Sequence, residues 1–510
     1  MGILTFLTGL ALASTALAIP LPNTSSSDGI KWGPCDFENA GSNPIECGTL
    51  AVPLDYTNPA SKETLALSLI RSRAPLNGTT GRKSILFNFG GPGLEAVQSM
   101  NVMADTLHFM TGGQHDLVAF DPRGVGTTLT FSCFDNATER RLAAARFPYL
   151  QTDAYDTALA ETFANANALS NICYEKNKDN EKGSLLGTAF VARDLIRVVD
   201  ALGEDGMLRF WGLSYGSLLG ETVAAMFPSR IDRLVLDGVV NGHNYYHRQG
   251  IDVDQLLSAD AAFRAILAEC IEAGPAKCAL ASVNSTAAEL EDTLMRLAET
   301  FKASPVAAGN SVINYRLVKE LIFVVIKYPW DIANAAVHIN NLLTGTNLTA
   351  AAEYYNDQMT AVATGDDDAV WAIKCSDTFP RSEGLAGIMP DVERMLETSK
   401  LFGSLIASIT TQCATWPFEA KERYDGRFEG IKTPTPVLFI GNTYDPVTPV
   451  ASAKNMSAGF EGSVVVEQRG FGHASIAQFS NCTTQVLRAY FADGTLPPED
   501  IVCEVDASLF

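Results

Sequence analysis

A serine on a glycine-flanked turn is the feature of this sequence best suited to chemistry. Residues 212–216 read Gly-Leu-Ser-Tyr-Gly and fit the pattern Gly-x-Ser-x-Gly. The apolar run 208–212 predicts a strand before the turn, and the run 218–227 predicts a helix after it. Glycine on either side removes the Cβ atoms that would clash with neighbouring strands. The pattern therefore predicts a nucleophile at Ser214, against the alternative of an ordinary turn with a capping serine.

A serine hydroxyl needs a general base near neutral pH, and a histidine is expected to supply it. The sequence contains six histidines, His108, His115, His243, His247, His338 and His473. In an arrangement of this kind the chain order is serine, acid, histidine, which excludes the first two. The next two follow Ser214 too closely to leave room for a strand and an acid, and His338 lies in a helical stretch. His473, in the glycine-containing loop 469–473 after a predicted strand 463–467, is the predicted base.

The acid that orients this histidine is expected in the loop after the preceding strand. The predicted strand 436–440 leads into the loop 441–449, where Asp445 is the only carboxylate. Its predicted role is to accept a hydrogen bond from the Nδ1–H of His473, which fixes the tautomer and stabilises the imidazolium. The alternative is that Asp445 only shapes the turn before the next helix.

Two backbone N–H groups are expected to hold the oxyanion that forms when a serine attacks a carbonyl. One belongs to Tyr215, the residue after the nucleophile, and the other to the loop after an earlier strand. The predicted strand 84–89 leads into Gly-Gly-Pro-Gly at 90–93, and Gly91 is the predicted second donor. The alternative is a plain turn, because this tetrapeptide forms turns in any setting.

The elements that must position these residues alternate between strand and helix. Strands are predicted at 65–72, 84–89, 116–120, 208–212 and 231–240, and a helix at 188–202 ends before a glycine. Residues 242–430 are mostly helical, and the strand–helix rhythm returns from 436. The sequence predicts an α/β fold with a mostly parallel sheet covered by helices on both faces, in two parts, 19–241 and 431–510, separated by a helical cap at 242–430.

Composition and charge exclude several classes of protein. The chain has 37 Lys and Arg against 58 Asp and Glu, a net charge of −21, which disfavours sequence-independent nucleic-acid binding. There is no His-Glu-x-x-His, no phosphate-binding loop and no glycine fingerprint of a dinucleotide site, so no metal and no cofactor are expected. Past the N-terminus no apolar run is long enough for a stable membrane span.

The N-terminus predicts secretion. The apolar stretch 3–17 ends in Ala16-Leu17-Ala18, where small residues fit signal-peptidase cleavage after Ala18, although no Lys or Arg precedes it. An uncleaved anchor or a buried first helix is the alternative to a signal peptide at 1–18. N-linked glycans are expected at seven Asn-x-Ser/Thr sites, Asn23, Asn77, Asn136, Asn284, Asn347, Asn455 and Asn481.

Ten cysteines in a secreted chain predict disulfides. Pairing of neighbours along the chain gives Cys35–Cys47, Cys133–Cys173, Cys270–Cys278, Cys375–Cys413 and Cys482–Cys503. Other connectivities stay open at this point, because sequence does not determine connectivity. The scattered spacing disfavours a zinc cluster.

Several motifs in one order resemble those of the α/β-hydrolase superfamily, and more narrowly the tripeptidyl-aminopeptidase-like branch of the prolyl-aminopeptidase (S33) serine peptidases. The motifs lie at 90–93, 121–126, 212–216, 226–231, 235–239, 372–377, 445–449 and 472–473. The resemblance implies a helical cap over the site and acidic groups that bind the free α-amine of a substrate. Glu95 and Asp377 are the candidates, with Glu221 as a third. The chain departs from the family at Leu94-Glu95 and at Ala474, where small residues and glycine are usual.

These observations predict a secreted serine hydrolase that forms an acyl-enzyme on Ser214. The expected activity is that of an exopeptidase releasing short N-terminal peptides or single residues. The alternative is a carboxylesterase or a tailoring hydrolase that acts on a small secreted metabolite, since the same residues serve both chemistries. A non-catalytic binding protein on the same fold is disfavoured because Ser214, Asp445 and His473 are all present.

Overall fold

The sheet of this protein continues through both parts of the chain that flank the helical region. The computed structural model describes residues 29–75, 83–247, 253–362, 367–378 and 381–510. The predicted signal peptide 1–18 and the sites Asn23 and Asn77 lie outside the described residues.

Twelve strands lie within the described ranges. They are β1 (Lys31–Gly33), β2 (Ile45–Pro53), β3 (Thr64–Ser72), β4 (Ile85–Asn88), β5 (Leu117–Phe120), β6 (Leu208–Leu213), β7 (Ile231–Asp237), β8 (Val306–Ala308), β9 (Ser311–Ile313), β10 (Leu438–Tyr444), β11 (Val464–Phe471) and β12 (Val502–Glu504). Ten of them form one sheet in the order β1-β2-β3-β5-β4-β6-β7-β10-β11-β12, and β8 pairs with β9 in a separate hairpin. From β5 to β12 all neighbours run parallel, while the pairs β1–β2, β2–β3 and β3–β5 are antiparallel.

Sixteen helices lie within the same ranges. They are α1 (Ala96–Thr111), α2 (Ala137–Arg146), α3 (Ala158–Asn177), α4 (Thr188–Ala201), α5 (Tyr215–Met226), α6 (Gly242–His247), α7 (Ala259–Ala273), α8 (Ala287–Ala303), α9 (Tyr315–Lys327), α10 (Ile332–Thr344), α11 (Leu348–Val362), α12 (Asp367–Asp377), α13 (Met389–Thr398), α14 (Gly403–Thr415), α15 (Val450–Ser457) and α16 (Asn481–Asp493). None of the described helices is long and apolar enough to cross a bilayer.

Both faces of the central strands are buried, which explains their continuous apolar sequences. In β6, Phe210 packs with α4 and α5 on one face, and the next residue, Trp211, packs with α1 and α16 on the other. Leu234 and Val235 of β7 divide between the faces in the same way. The predicted α/β fold, a mostly parallel sheet with helices on both faces, is confirmed.

The helical region 242–430, which we call the insertion, lies between β7 and β10. Most of its helices share a core of their own, with residues such as Phe263, Leu321 and Phe402 at its centre. Helix α12 is different, because its apolar residues pack into the core of the sheet with α4 and α5. In the other direction, α3 comes from the part of the chain before β6 and packs on α14 of the insertion, where Gln412 donates to Ser170.

The predicted disulfide pairing is confirmed. The structure contains Cys35–Cys47, Cys133–Cys173, Cys270–Cys278, Cys375–Cys413 and Cys482–Cys503. The fourth of these bonds joins α12 to α14. It therefore ties the helix that enters the sheet core to a helix of the insertion.

Candidate active site

Ser214 lies on the sharp turn between β6 and α5. Its φ of 57° and ψ of −123° belong to a region that non-glycine residues rarely adopt. The turn brings backbones so close that a Cβ on Gly216 would lie 2.4 Å from the carbonyl oxygen of Asn88. A Cβ on Gly90 would lie 2.7 Å from the Cβ of Ser214. The helix begins immediately after the serine, three residues earlier than the sequence predicted, and its N-terminus favours negative charge beside Ser214.

His473 and Asp445 are hydrogen-bonded to each other. The Nδ1 atom of His473 lies 3.1 Å from Oδ2 of Asp445 and 3.2 Å from Oδ1. Asp445 is fully buried and also accepts hydrogen bonds from the backbone N–H groups of Val447, Thr448 and Ala474. Burial alone would raise the pKa of Asp445, but the charge of His473 and these hydrogen bonds outweigh it and lower that pKa. The side chain is therefore a carboxylate.

Thr448 is a residue near the site that the sequence analysis missed. Its Oγ1 donates to Oδ2 of Asp445 at 2.7 Å and lies 3.0 Å from Nδ1 of His473. The hydroxyl thus contacts both partners of the acid–histidine pair. The signal for it was the threonine in the motif at 445–449, which lies three residues after the acid.

The loop that carries His473 is held from three sides. The backbone N–H of His473 donates to the carbonyl oxygen of Lys327, at the end of α9 in the insertion, at 2.9 Å. Ser475 donates from its N–H and its Oγ to Asp237 at the end of β7. Gly472 has a φ of +86°, and a Cβ there would lie 2.5 Å from Cδ of Pro329. The insertion therefore contacts the histidine loop directly.

Ser214 and His473 face one cavity of about 270 Å³ between the sheet edge and the insertion. The hydrogen bonds of the described residues link His473 to Asp445, and none links it to Ser214. Both predicted oxyanion donors, Tyr215 and Gly91, also line the cavity. The structure thus gathers at one place the serine, the histidine and the two backbone groups that the sequence selected from separate motifs.

The two carboxylates predicted to bind a substrate amine are not among the described residues that line this cavity. Asp377 is 1% exposed, and its oxygens accept from the backbone N–H of Thr188 at 2.8 Å and from its Oγ1 at 2.6 Å. Burial raises the pKa of Asp377 to about 7, although the hydrogen bonds from Thr188 oppose the shift. Glu95 is half-buried just before α1, and its neighbour Leu94 lines the cavity instead. Amine binding by Asp377 or Glu95 stays a prediction, and neither position favours it.

Glu221, the third candidate, lies inside the protein. It is fully buried in α5, and neither carboxyl oxygen has a hydrogen-bond partner among the described residues. Its Oε2 would lie 2.6 Å from a Cβ placed on Gly242, so the missing side chain there leaves room for the carboxyl group. Burial raises the pKa of Glu221 well above its ordinary value, which favours the neutral form of the side chain.

Three charged residues of the insertion line the cavity, and the sequence analysis gave none of them a role, although Lys374 lies in the motif at 372–377. Lys327 ends α9, Lys374 lies in α12, and Asp254 lies in a short turn before α7. Asp254 accepts hydrogen bonds from the side-chain amides of Asn241, at 3.0 Å, and Asn244. It is the only carboxylate among the described residues of the cavity wall. Across the described ranges, no group of three or more His, Cys, Asp or Glu side chains is placed to hold a metal ion.

Two family models match the parts of the chain that hold these residues. A model described as alpha/beta hydrolase fold matches residues 83–264, which include Gly91 and Ser214. A model described as TAP-like protein matches residues 399–503, which include Asp445 and His473. The chain belongs to the α/β-hydrolase superfamily.

Curated relatives of this α/β hydrolase match it along most of its length. It is 27% identical over 506 residues to the tripeptidyl aminopeptidase of Streptomyces lividans, covering 94% of this chain and 87% of that protein. It is 27% identical to the serine protease Hip1 of Mycobacterium tuberculosis, with 93% and 91% covered. It is 26% identical to carboxylesterase B of Mycobacterium tuberculosis, with 92% and 89% covered. The names of the relatives therefore include peptidases and an esterase.

Proposed function

We propose that this α/β hydrolase is a serine exopeptidase that releases short peptides or single residues from the N-terminus of its substrates. The observation that carries the proposal is the cavity shared by Ser214, on its strained turn, and by His473, which is hydrogen-bonded to a buried carboxylate. The names tripeptidyl aminopeptidase and serine protease among the relatives support peptide substrates.

In the proposed reaction, Nε2 of His473 takes the proton of Ser214 as Oγ attacks the substrate carbonyl. Asp445 keeps the Nδ1–H of His473 oriented and stabilises the imidazolium that forms. The N–H groups of Tyr215 and Gly91 hold the oxyanion. His473 then returns the proton to the leaving amine, and the acyl-enzyme remains. Water attacks the acyl group with the same histidine as base, which releases the acid and restores the hydroxyl of Ser214.

An aminopeptidase must recognise a protonated α-amine, and we assign this role to Asp254. Its carboxylate is the one acidic group among the described residues of the cavity wall. The amides of Asn241 and Asn244 hold the side chain in place, because both donate to Oδ2. A carboxylate held in this way binds an ammonium group through a charge-assisted hydrogen bond.

Labelling with a fluorophosphonate tests the nucleophile. We expect one label per chain at Ser214 and no label on the variant Ser214→Ala. That variant should lose at least about 10³-fold in kcat while its thermal stability stays close to that of the wild type. A folded wild-type protein that takes no label would contradict the proposal.

The variant Asp254→Asn tests recognition of the amine. We expect KM for free-amine tripeptidyl amides to rise about tenfold or more, because a charge-assisted hydrogen bond is lost, and kcat to change little. Glu272→Gln, the same loss of charge on an exposed helix position of the insertion, serves as the control. If N-blocked peptides are cleaved as fast as free ones by the wild type, amine recognition is wrong.

The relative named carboxylesterase B favours a second candidate, hydrolysis of a small ester. The same serine, histidine and oxyanion groups would serve that reaction. A panel of acyl esters beside free-amine and N-blocked peptide amides separates the two. Higher kcat/KM for simple esters than for every peptide would favour the esterase.

We also propose that the chain works in an oxidising compartment outside the cell and carries N-linked glycans. Five disulfides among the described residues support this, because such bonds persist in secreted proteins. Four of the predicted glycan sites, Asn136, Asn347, Asn455 and Asn481, are exposed. Mass spectrometry of the protein from a eukaryotic secretion host, with and without glycosidase treatment, tests both statements.

A further inference from the structure

A buried chain of hydrogen bonds leads from the residue after the nucleophile to the insertion. The phenol oxygen of Tyr215 lies 2.5 Å from Oγ1 of Thr188, the first residue of α4. Oγ1 of Thr188 lies 2.6 Å from Oδ2 of Asp377, the last residue of α12. All three side chains are at most 2% exposed, so water does not compete for these bonds.

The direction of each hydrogen bond follows from the acceptor at the end. Oδ2 of Asp377 accepts from Oγ1 of Thr188, and an ionised carboxyl group can only accept. The hydroxyl of Thr188 has one hydrogen, which it donates to Asp377, so its remaining interaction is to accept from Tyr215. The backbone N–H of Thr188 also donates to Asp377, at 2.8 Å. The carboxylate of Asp377 therefore sets the donor–acceptor direction of both hydrogen bonds, from Tyr215 to Thr188 and from Thr188 to Asp377.

The far end of the chain is firmly held. Asp377 is two residues from Cys375, whose disulfide to Cys413 joins α12 to α14. Ser376, between them, donates to the carbonyl oxygen of Gly183. The phenol of Tyr215 is thus connected to a fixed point outside its own helix.

We propose that Thr188 and Asp377 are positioning residues for the oxyanion hole. By fixing the side chain of Tyr215, they fix the first turn of α5 and the direction of the Tyr215 N–H. The proposal rests on the proposed function, in which that N–H holds the oxyanion. A donor that is aimed before the reaction stabilises the transition state more than one that must reorient. In this view Asp377 acts on catalysis from beneath the cavity rather than by binding substrate.

Four variants test the proposal in assays at pH 8. Thr188→Val removes the hydroxyl at nearly constant volume, and Tyr215→Phe removes only the phenol oxygen. Each should lower kcat about tenfold while KM stays within about twofold, because the contribution is made in the transition state. The double variant should be no worse than either single one, since both break the same chain. Thr188→Ser keeps a hydroxyl and should recover most of kcat.

The matched control is Tyr490→Phe. Its hydroxyl is equally buried and donates to the carbonyl oxygen of Pro436 at 2.7 Å, before the start of β10 and so at the opposite end of the sheet from the nucleophile. This variant should lose a similar amount of stability, about 1 kcal/mol, and keep kcat within about twofold of the wild type.

The proposal is overturned if Tyr215→Phe, folded by its circular dichroism, keeps wild-type kcat, or if Thr188→Ser is as slow as Thr188→Val. Should Thr188→Val fail to fold, Tyr215→Phe decides alone. Fluorophosphonate labelling of the wild type distinguishes failure of the positioning role from failure of the proposed function. If the wild type is labelled but the variants keep wild-type kcat, only the positioning role is rejected. A wild type that takes no label rejects the proposed function as well.

Discussion

Ala474, the residue after the histidine, has an unfavourable backbone conformation beside the site. Its φ of 63° and ψ of 166° lie in a region that is used almost entirely by glycine. The conformation lets its N–H donate to Oδ2 of Asp445 at 2.9 Å. The residues on both sides are held by hydrogen bonds to Lys327 and Asp237, so the strain cannot relax. The departure from glycine that the sequence showed is therefore a source of strain at the site.

We predict that Ala474→Gly stabilises the protein. Relief of about 1–3 kcal/mol of strain outweighs the 0.5–1 kcal/mol that the extra freedom of glycine costs in the unfolded chain, which leaves a gain of about 1 kcal/mol. Denaturant unfolding measures it, and kcat should change little because the hydrogen bond to Asp445 remains. A loss of stability would mean that the methyl group contributes more packing than its backbone costs.

At the residue scale, the sequence could predict those site residues whose positions follow from chain order and from local sequence pattern. The turn of Ser214 and the loops of Asp445 and His473 follow strands whose apolar runs are visible in the sequence. The surroundings of Asp377 and Asp254 could not be predicted, because one depends on α4 approaching α12 and the other on the insertion closing over the sheet edge. Both contacts join segments far apart in the chain.

Among the elements, the corner after α9 matters most for the site. The backbone carbonyl oxygen of Lys327 accepts a hydrogen bond from the N–H of His473. Pro329 packs against Gly472, in the space that a side chain at that position would fill. The insertion therefore helps to hold the loop of His473 in place, in addition to covering the cavity.

We predict that Gly472→Ala lowers both stability and kcat. The new methyl group would overlap Pro329 and the backbone has a φ of +86°, so we expect a loss of about 2 kcal/mol or more. Because the loop must shift, kcat should fall by about tenfold or more. Gly345→Ala is the control: its φ is +68° but nothing lies within 4 Å of the new Cβ, so it should lose stability without losing kcat. Unchanged kcat in Gly472→Ala would show that the corner does not support the base.

Helix α3 shows why some elements escaped prediction. Its buried side recurs at helical spacing but is made of small or polar residues: Ala158, Thr162, Ala166, Ser170, Cys173 and Asn177. Among large apolar residues, Leu159 and Phe163 also pack on the core of the insertion, but hydrophobic periodicity, the main signal for a helix in sequence, is weak over the helix as a whole. Helix α4 was predicted to within one residue at its end, because its buried side consists of large apolar residues.

For the molecule as a whole, buried acids make stability depend on pH. Burial raises the pKa of several carboxyl groups: those of Asp121 and Asp377 to about 7, that of Asp237 to about 6, and that of Glu221 well above its ordinary value. The folded state retains protons that the unfolded chain releases near pH 4. Stability from these groups is therefore greatest below pH 4 and declines as pH rises toward 7.

We predict that the melting temperature falls between pH 5 and pH 8. Carboxylates with lowered pKa, such as Asp445, contribute fully over this range and lose their contribution only below it. Glu221→Gln should reduce the decline, because an amide does not ionise, and should be more stable than the wild type at pH 8 by about 1 kcal/mol or more. Differential scanning calorimetry of both proteins across the range measures this. Parallel curves would show that Glu221 is not the neutral buried acid described above.

The division into a sheet and a helical insertion could be predicted from the change in rhythm along the chain. The sequence could not predict that each of the two parts contributes a helix to the core of the other. Helix α12, from the insertion, completes the core of the sheet, while α3, from the first part of the chain, packs on α14. These partners are set by tertiary packing, which periodicity does not report.

The bond between His473 and the end of α9 also has a consequence for biosynthesis. A ribosome delivers Ser214 early, the insertion next, and the acid and the base only with the last segment, 431–510. The carbonyl group that receives the His473 N–H exists in its final position only once the insertion has folded. Until then Ser214 has no general base, so we expect the nascent chain not to cleave neighbouring polypeptides. The proposed peptidase therefore becomes active only when the segment 431–510 has folded against the insertion.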